Sequence, residues 1–308
     1  MPSGGSTVGK ILVLGGGGML GHKMFQVLGN RYANTWCTLR SRRDELPWRA
    51  VPLFQSSRVL DAVDFSDLDV LDKLLRDVRP AVIVNTVGVI KQRAEAQDAI
   101  RCIAINALLP HRIAAVAKEW GGRVIHFSTD CVFSGRRGPY AETDEPDATD
   151  LYGRTKLLGE VVGENALTLR TSFIGRELQH HDSLLEWFLA QDHRTVRGFR
   201  RAWWSGVTSN HLAGVVADLV ETHPEVSGLY HLSSGRISKY ELLVRLRDGL
   251  NLDIAVEPDD TVQCDRSLDG SRFEAATGYQ RPSWETLIGQ LAADPTPYEA
   301  WVEKHGVS

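Results

Sequence analysis

Cysteine is scarce in this chain, with four residues in 308. Cys37, Cys102, Cys131 and Cys264 stand far apart, and no His/Cys grouping has metal-ligand spacing. Neither a disulfide framework nor a metal site is therefore expected, and the usage suits a reducing compartment, the cytoplasm. An excess of one charge sign is also missing. Lys and Arg number 35 against 39 Asp and Glu, and the net charge of −4 gives bulk electrostatics no hold on nucleic acid. Long apolar runs are absent too: no stretch reads as a membrane span, and no membrane association is expected. The Gly/Ser-rich start lacks an apolar signal region, so residues 1–9 are expected to form a floppy arm. The rest has the composition of an ordinary globular protein, long enough for one large α/β unit or two domains.

Strand-like and helix-like segments alternate. Lys10–Leu14, Thr35–Leu39, Val59–Val63, Ala81–Asn85, Arg123–Asp130 and Ala166–Arg170 read as strands one to six. Helices are expected after strand one, over 68–78, over roughly 95–120 and around Tyr152. This alternation predicts a parallel sheet with helices on both faces. Beyond strand six the pattern loosens. The aromatic, basic stretch 197–209 reads as a loop before a helix over 210–222, then a strand over 228–232 and a helix over 240–249.

Three segments carry chemistry. Strand one runs into Gly15-Gly16-Gly17-Gly18-Met19-Leu20-Gly21 and then a helix. Strand, glycine turn and helix are what a dinucleotide site requires, because glycines let the backbone approach a pyrophosphate that faces the helix N-terminus. The run satisfies both Gly15-x-x-Gly18-x-x-Gly21 and Gly16-x-Gly18-x-x-Gly21, so it does not choose a subtype. Strand five ends in Ser128-Thr129-Asp130. Ligands of open α/β sheets sit beyond strand carboxyl ends, where a Thr129 or Ser128 hydroxyl can meet a carbonyl; the same residues also suit a turn cap. Tyr152 and Lys156, four apart, share a helix face. A phenol has a reference pKa of roughly 10, and a nearby ammonium is expected to lower it, making Tyr152 a proton donor or acceptor.

Together these segments resemble the extended short-chain dehydrogenase/reductases. The stretches Ser128–Gly135, Tyr140–Pro146 and Leu151–Glu160 resemble the dTDP-4-dehydrorhamnose reductase family in particular, over about Lys10 to Trp284. Cys131 departs from the pattern, since many members carry an aromatic residue there, and the sugar is left open. The resemblance implies a Rossmann-type doubly wound parallel sheet over 10–170. It also implies a smaller, interleaved C-terminal substrate lobe over 171–308, with about 205–235 returning to the nucleotide domain. The implied activity is NADPH-dependent reduction of the C4 ketone of a nucleotide-linked 4-keto-6-deoxysugar in deoxysugar biosynthesis. Tyr152 would supply the proton, Lys156 would hold the phenolate and the nicotinamide ribose, and Thr129 would orient the carbonyl. A nucleotide-diphospho-sugar is the expected partner, and a homodimer is common among relatives.

Strand two ends in Leu39-Arg40-Ser41-Arg42-Arg43. An acidic residue there would favour NAD; an Arg accommodates a 2′-phosphate, so Arg40, with Ser41 beside it, predicts NADPH over NADH. Arg42 and Arg43 stand in reserve, and all three also read as solvated loop charges. Asp64-Phe65 resembles the family segment around the adenine, while Asp64 could instead cap the next helix. Thr86-Val87-Gly88 after strand four would line the nicotinamide side. Asn106 matches a helix Asn that supports the Lys in extended relatives. Lys91 and Gln92 either touch the substrate diphosphate or face solvent. Trp203 and Trp204 either stack on a nucleobase or join the core. Arg266, Ser267, Asp269 and Arg281 lie in a stretch resembling the substrate-lobe signature, where an Arg binds a diphosphate or joins a surface ion pair. His126, His211 and His231 read as core histidines. Two further readings stay open: an epimerase of the same branch that retains NAD, and a non-catalytic dinucleotide-binding regulatory subunit.

Overall fold

The computed structural model describes residues 8–91 and 97–302. The expected arm, apart from residues 8 and 9, and Gln92 lie outside the described residues.

Ile11–Leu14 forms β1, and every one of its side chains is fully buried, because helices cover both faces of the sheet. In chain order follow α1 (Met19–Arg31), β2 (Thr35–Thr38), β3 (Val59–Leu60), α2 (Leu68–Val78) and β4 (Val82–Asn85). Then come α3 (Ala99–Cys102), a π-helical stretch (Ile103–Leu108), α4 (Leu109–Lys118), β5 (Arg123–Thr129), α5 (Leu151–Leu158) and β6 (Ala166–Thr171). The remainder comprises β7 (Phe173–Ile174), α6 (Leu184–Leu189), β8 (Thr195–Trp204), β9 (Val207–Thr208), α7 (Ser209–Glu221), β10 (Gly228–His231) and β11 (Ile237–Ser238). It closes with α8 (Lys239–Leu250), β12 (Ala255–Asp265), α9 (Ser271–Thr277), α10 (Trp284–Ala292) and α11 (Tyr298–Val302).

Seven strands form one parallel sheet in the order β10-β6-β5-β4-β1-β2-β3. This is the Rossmann-type doubly wound fold. Connections run one way from β1 and the other way from β4, so a crevice opens between the carboxyl ends of those two strands. One face buries Met24, Leu28, Val216 and Leu219 from α1 and α7; the other buries Leu71, Leu75, Ile113 and Ala117 from α2 and α4.

Two departures from the sequence expectation concern elements. The stretch read as a loop over 197–209 is instead β8, paired with β11 and β12 in a three-stranded sheet, followed by β9. Its inward positions are Val196, Gly198, Ala202 and Trp204, so half of the buried face is too small to show as an apolar alternation. The expected helix over roughly 95–120 is α3, the π-helical stretch and α4 in succession. This run, Ala99–Lys118, is long and apolar enough to cross a membrane by length and composition, contrary to the reading above. Half of it is buried within the protein, where Ile113 and Ala117 face the sheet.

Candidate active site

The glycine turn joins β1 to α1 at the crevice. Gly15 has φ of +86°, a backbone that L side chains resist. Its N–H donates to the Thr38 hydroxyl at 3.0 Å, and the Gly16 N–H donates to the Thr38 carbonyl at 2.8 Å, so the end of β2 fixes the turn. Gly21 lies in the first turn of α1, where a Cβ would stand 2.0 Å from the Gly15 carbonyl oxygen. Only glycine lets the helix close so tightly on the turn. Gly18, the N-cap, supplies no side-chain cap, and no acidic residue occupies the first turn. The N–H groups of Met19, Leu20 and Gly21 and the positive end of the helix dipole are thereby left for an anion.

A cavity of about 130 Å³ adjoins the turn, lined by Gly15, Arg40, Asp64, Phe65, Val87 and Gly88, and also by Thr38, Val63, Ser66, Arg101 and Ile105. Of the three strand-two arginines, Arg42 pairs with Asp44 at 3.0 Å and Arg43 donates to the Ser56 carbonyl at 2.8 Å. Arg40 alone of these lines the cavity, with the exposed Ser41 beyond it. Asp64 accepts from the Ser66 N–H at 2.9 Å, which holds its carboxyl below the usual range, and Arg40 and Arg101 add to this. The cap of α2 is Asp67, not Asp64. Thr86 turns its hydroxyl onto the Leu14 carbonyl at 2.7 Å. Asn106 sits in the π-helical stretch and clamps the backbone of Val89, accepting at 2.8 Å and donating at 3.0 Å.

Asp150 caps α5 through the Gly153 N–H at 2.8 Å, which sets the helix start so that Tyr152 and Lys156 face β5. A Cβ on Gly153 would stand 2.4 Å from the Cys131 carbonyl oxygen, so glycine allows α5 to press against the turn after Thr129. Thr129 donates to Asp130 at 3.2 Å, accepts from the Cys131 N–H at 3.1 Å, and faces the Tyr152 phenol. Lys156 is buried and donates to the Phe127 carbonyl at 2.6 Å. Burial pulls its pKa down to about 8, against the pull of Glu160.

The electrostatics of Tyr152 differ from the expectation. Burial pushes the phenol above its ordinary value, Cys131, Asp130 and Asp150 push the same way, and Thr129 opposes them. Lys156, whose ammonium donates to the Phe127 carbonyl, is not among the groups that dominate this shift. Tyr152 is therefore a neutral phenol at neutral pH, the form that donates a proton.

A profile of the family described as RmlD substrate binding domain matches residues 9–295. The chain belongs to this family. Among its relatives, dTDP-4-dehydrorhamnose reductase of Salmonella typhimurium is 33% identical over 183 residues, 56% of this chain and 60% of that protein. The chain thus spans about three fifths of the length of that curated reductase. Methionine adenosyltransferase 2 subunit beta of Pongo abelii is 28% identical over 258 residues, 79% of this chain and 72% of that protein. In fold, a dTDP-4-dehydrorhamnose reductase from Bacillus anthracis, solved in complex with NADP, superposes with a TM-score of 0.75 at 18% identity, covering 92% of this chain and 98% of that one.

Other residues of this RmlD-family chain are placed as follows. Ser128 turns away from Thr129 and donates to Glu160 at 2.6 Å, beside the buried Glu160–Arg170 ion pair. A strand alternates its side chains, so adjacent hydroxyls cannot both face the crevice. Lys91 pairs with Asp150 at 2.8 Å, at the start of the Tyr152 helix. Trp204 is 2% exposed and packs on Trp284, which places it in the core and not on an open stacking surface. Arg236 covers the Trp203 ring at 3.9 Å. Arg281 pairs with Glu274 and, at 3.3 Å, with Asp269, a surface ion cluster. His126 and His231 are buried and His211 bonds Tyr279. Thr38 and Arg101 were not singled out in the sequence. Thr38 ends a strand on the crevice side, and Arg101 lies four residues before Ile105 on one helical face, so both carried a usable signal. A larger cavity, about 870 Å³, lies between α1, α7, α9 and α10 and includes none of the residues of the glycine turn or the Thr129–Tyr152–Lys156 group.

Proposed function

We propose that the protein uses NADPH to reduce the C4 ketone of a nucleotide-linked 4-keto-6-deoxysugar. The observation that carries this reading is the facing of a neutral Tyr152 phenol and the Thr129 hydroxyl at the carboxyl end of β5, with Lys156 one helical turn on. The relatives named as reductases support it.

The residues at the crevice fit a dinucleotide. The uncapped start of α1 would hold the pyrophosphate, and Arg40 would meet the 2′-phosphate. NADPH supplies the hydride when bound. Thr129 orients the ketone oxygen by a hydrogen bond. Tyr152 donates its proton to the oxygen as negative charge develops there, and an acid in this role is worth about 10²–10⁴ in rate. Lys156 holds its proton close by and stabilises the phenolate left behind. Asp150 and Gly153 fix the start of α5 and so the aim of the phenol.

A panel of dTDP-, UDP- and GDP-linked 4-keto-6-deoxysugars, followed by NADPH absorbance and product NMR, tests the reading. Consumption of NADPH with at least one of them is expected; consumption with none overturns it. Similarity to methionine adenosyltransferase 2 subunit beta supports a second reading, a dinucleotide-binding regulatory subunit. Under that reading NADPH binds, no ketosugar is turned over, and a stable protein partner is found.

A further inference from the structure

His22 lies one residue after Gly21, fully buried, and takes no part in the chemistry at Tyr152. Its Nδ1 is 2.9 Å from the Gly18 carbonyl oxygen, and its Nε2 is 2.9 Å from the Tyr298 hydroxyl. A carbonyl can only accept, so Nδ1 carries the ring proton and the bare Nε2 accepts from Tyr298. Burial pulls the His22 pKa down to about 4, so the ring is neutral at neutral pH and this arrangement holds. Tyr298 stands 276 positions away in the chain, at the start of α11, and is 2% exposed. The other acceptor near its hydroxyl is the Asp294 Oδ2 at 3.4 Å, an oxygen already served by Lys23 at 2.7 Å and Asn210 at 2.9 Å.

The Gly18 carbonyl and the Met19 N–H belong to one planar peptide unit, and in a trans peptide they point in opposite directions. His22 holds that carbonyl twice, through its own N–H at 3.1 Å and through its ring. Turning the carbonyl inward along α1 turns the Met19 N–H outward, to the anion position at the helix start. Tyr298 is in turn held from several sides. Lys23, the next residue of α1, donates to Asp294 and, at 3.1 Å, to Thr296. Gln26 donates to the same Thr296 hydroxyl at 2.9 Å. Arg176 lies 4.7 Å over the Tyr298 ring and pairs with Glu299 at 3.0 Å. The segment from Asp294 to Glu299 is thus tied to α1 beside the glycine turn.

We propose that Tyr298 is a positioning residue for the dinucleotide: through His22 it fixes the peptide unit that aims the Met19 N–H at the pyrophosphate, and so couples the C-terminal segment to the cofactor site. The inference rests on the assignment of the glycine turn to NADPH and needs nothing of the ketosugar. Coupling of binding free energies is reciprocal, so NADPH should tighten the hold on Tyr298 by the factor with which Tyr298 tightens NADPH.

Fluorescence titration of NADPH into wild type, Tyr298→Phe, His22→Leu and the double variant tests this without turnover. Tyr298→Phe keeps the ring and loses the hydrogen bond, and should weaken NADPH by about three- to tenfold, the worth of one such bond. In the His22→Leu background the same change should alter affinity by less than about twofold, because the link is already cut. Factors that multiply instead mean that Tyr298 acts by another route, and they overturn the proposal. Hydrogen exchange serves if His22→Leu does not fold. NADPH should slow the backbone amides of 298–301 in wild type by about three- to tenfold more than in Tyr298→Phe, and equal slowing in the two overturns the proposal. Tyr298→Phe that binds NADPH as wild type does, where Gly21→Ala weakens it, overturns this inference alone. Wild type that binds no NADPH, or Gly21→Ala that binds it unchanged, overturns the assignment of the turn and this inference with it.

Discussion

Gly21→Ala is the sharpest test of the nucleotide site. The added methyl would lie 2.0 Å from the Gly15 carbonyl oxygen and 2.8 Å from the Thr86 hydroxyl. Real Cβ contacts do not fall below 3.0 Å, so the turn and α1 must separate by about 1 Å at the least. Thr86 cannot simply yield, because its hydroxyl is tied to the Leu14 carbonyl at 2.7 Å. Overpacking of this kind costs about 1–3 kcal/mol of stability. A shift of that size also lengthens N–H···phosphate bonds of about 2.9 Å beyond useful range. Losing one charged hydrogen bond of about 1.5–3 kcal/mol weakens NADPH roughly 10- to 100-fold. Fluorescence titration of NADPH and a thermal melt read both effects. Gly29→Ala in the same helix is the control: its Cβ meets nothing within 4 Å, and alanine should be neutral or stabilising by up to about 1 kcal/mol. NADPH binding by Gly21→Ala within about threefold of wild type would falsify the assignment of this turn to the pyrophosphate.

Arg40→Ser should reduce the preference for NADPH over NADH by about tenfold or more, measured as the ratio of kcat/KM; an unchanged ratio removes Arg40 from the 2′-phosphate site. Lys156 has its pKa pulled down to about 8, so its ammonium is lost as pH rises through that value. Reduction should therefore fall above about pH 8, and a rate profile flat up to the ordinary lysine value of about 10.4 contradicts a role for the charged form. Arg170 and Glu160 form a buried pair at 2.7 Å. Arg170→Met leaves Glu160 buried without its cation and should cost about 3–5 kcal/mol in denaturant melts; a change well below that range means that Glu160 finds water or another donor.

The parts of the fold legible in the sequence were those whose local pattern and tertiary role agree. β1 is apolar throughout because it is covered on both faces, and the glycines after it are required by the approach of α1 to Gly15. Tyr152 and Lys156 share a face because α5 is regular from Asp150 onward. β12 was not legible. It carries Pro258, Asp259 and Asp260 along a largely exposed strand, and its pairing with β8 joins segments far apart in sequence. An edge strand tolerates such residues, and no local period marks it. The electrostatics of Tyr152 were not legible either. Spacing placed the ammonium on the same face, but burial and the choice of the Phe127 carbonyl by Lys156 are tertiary facts.

The account depends on Tyr152 as the proton donor. Tyr152→Phe removes one oxygen and keeps the ring, so the direct measurement is kcat for ketosugar reduction beside NADPH affinity in that variant. The account predicts a fall in kcat of about 10² or more with NADPH binding within about threefold of wild type. Turnover at the wild-type rate would contradict it.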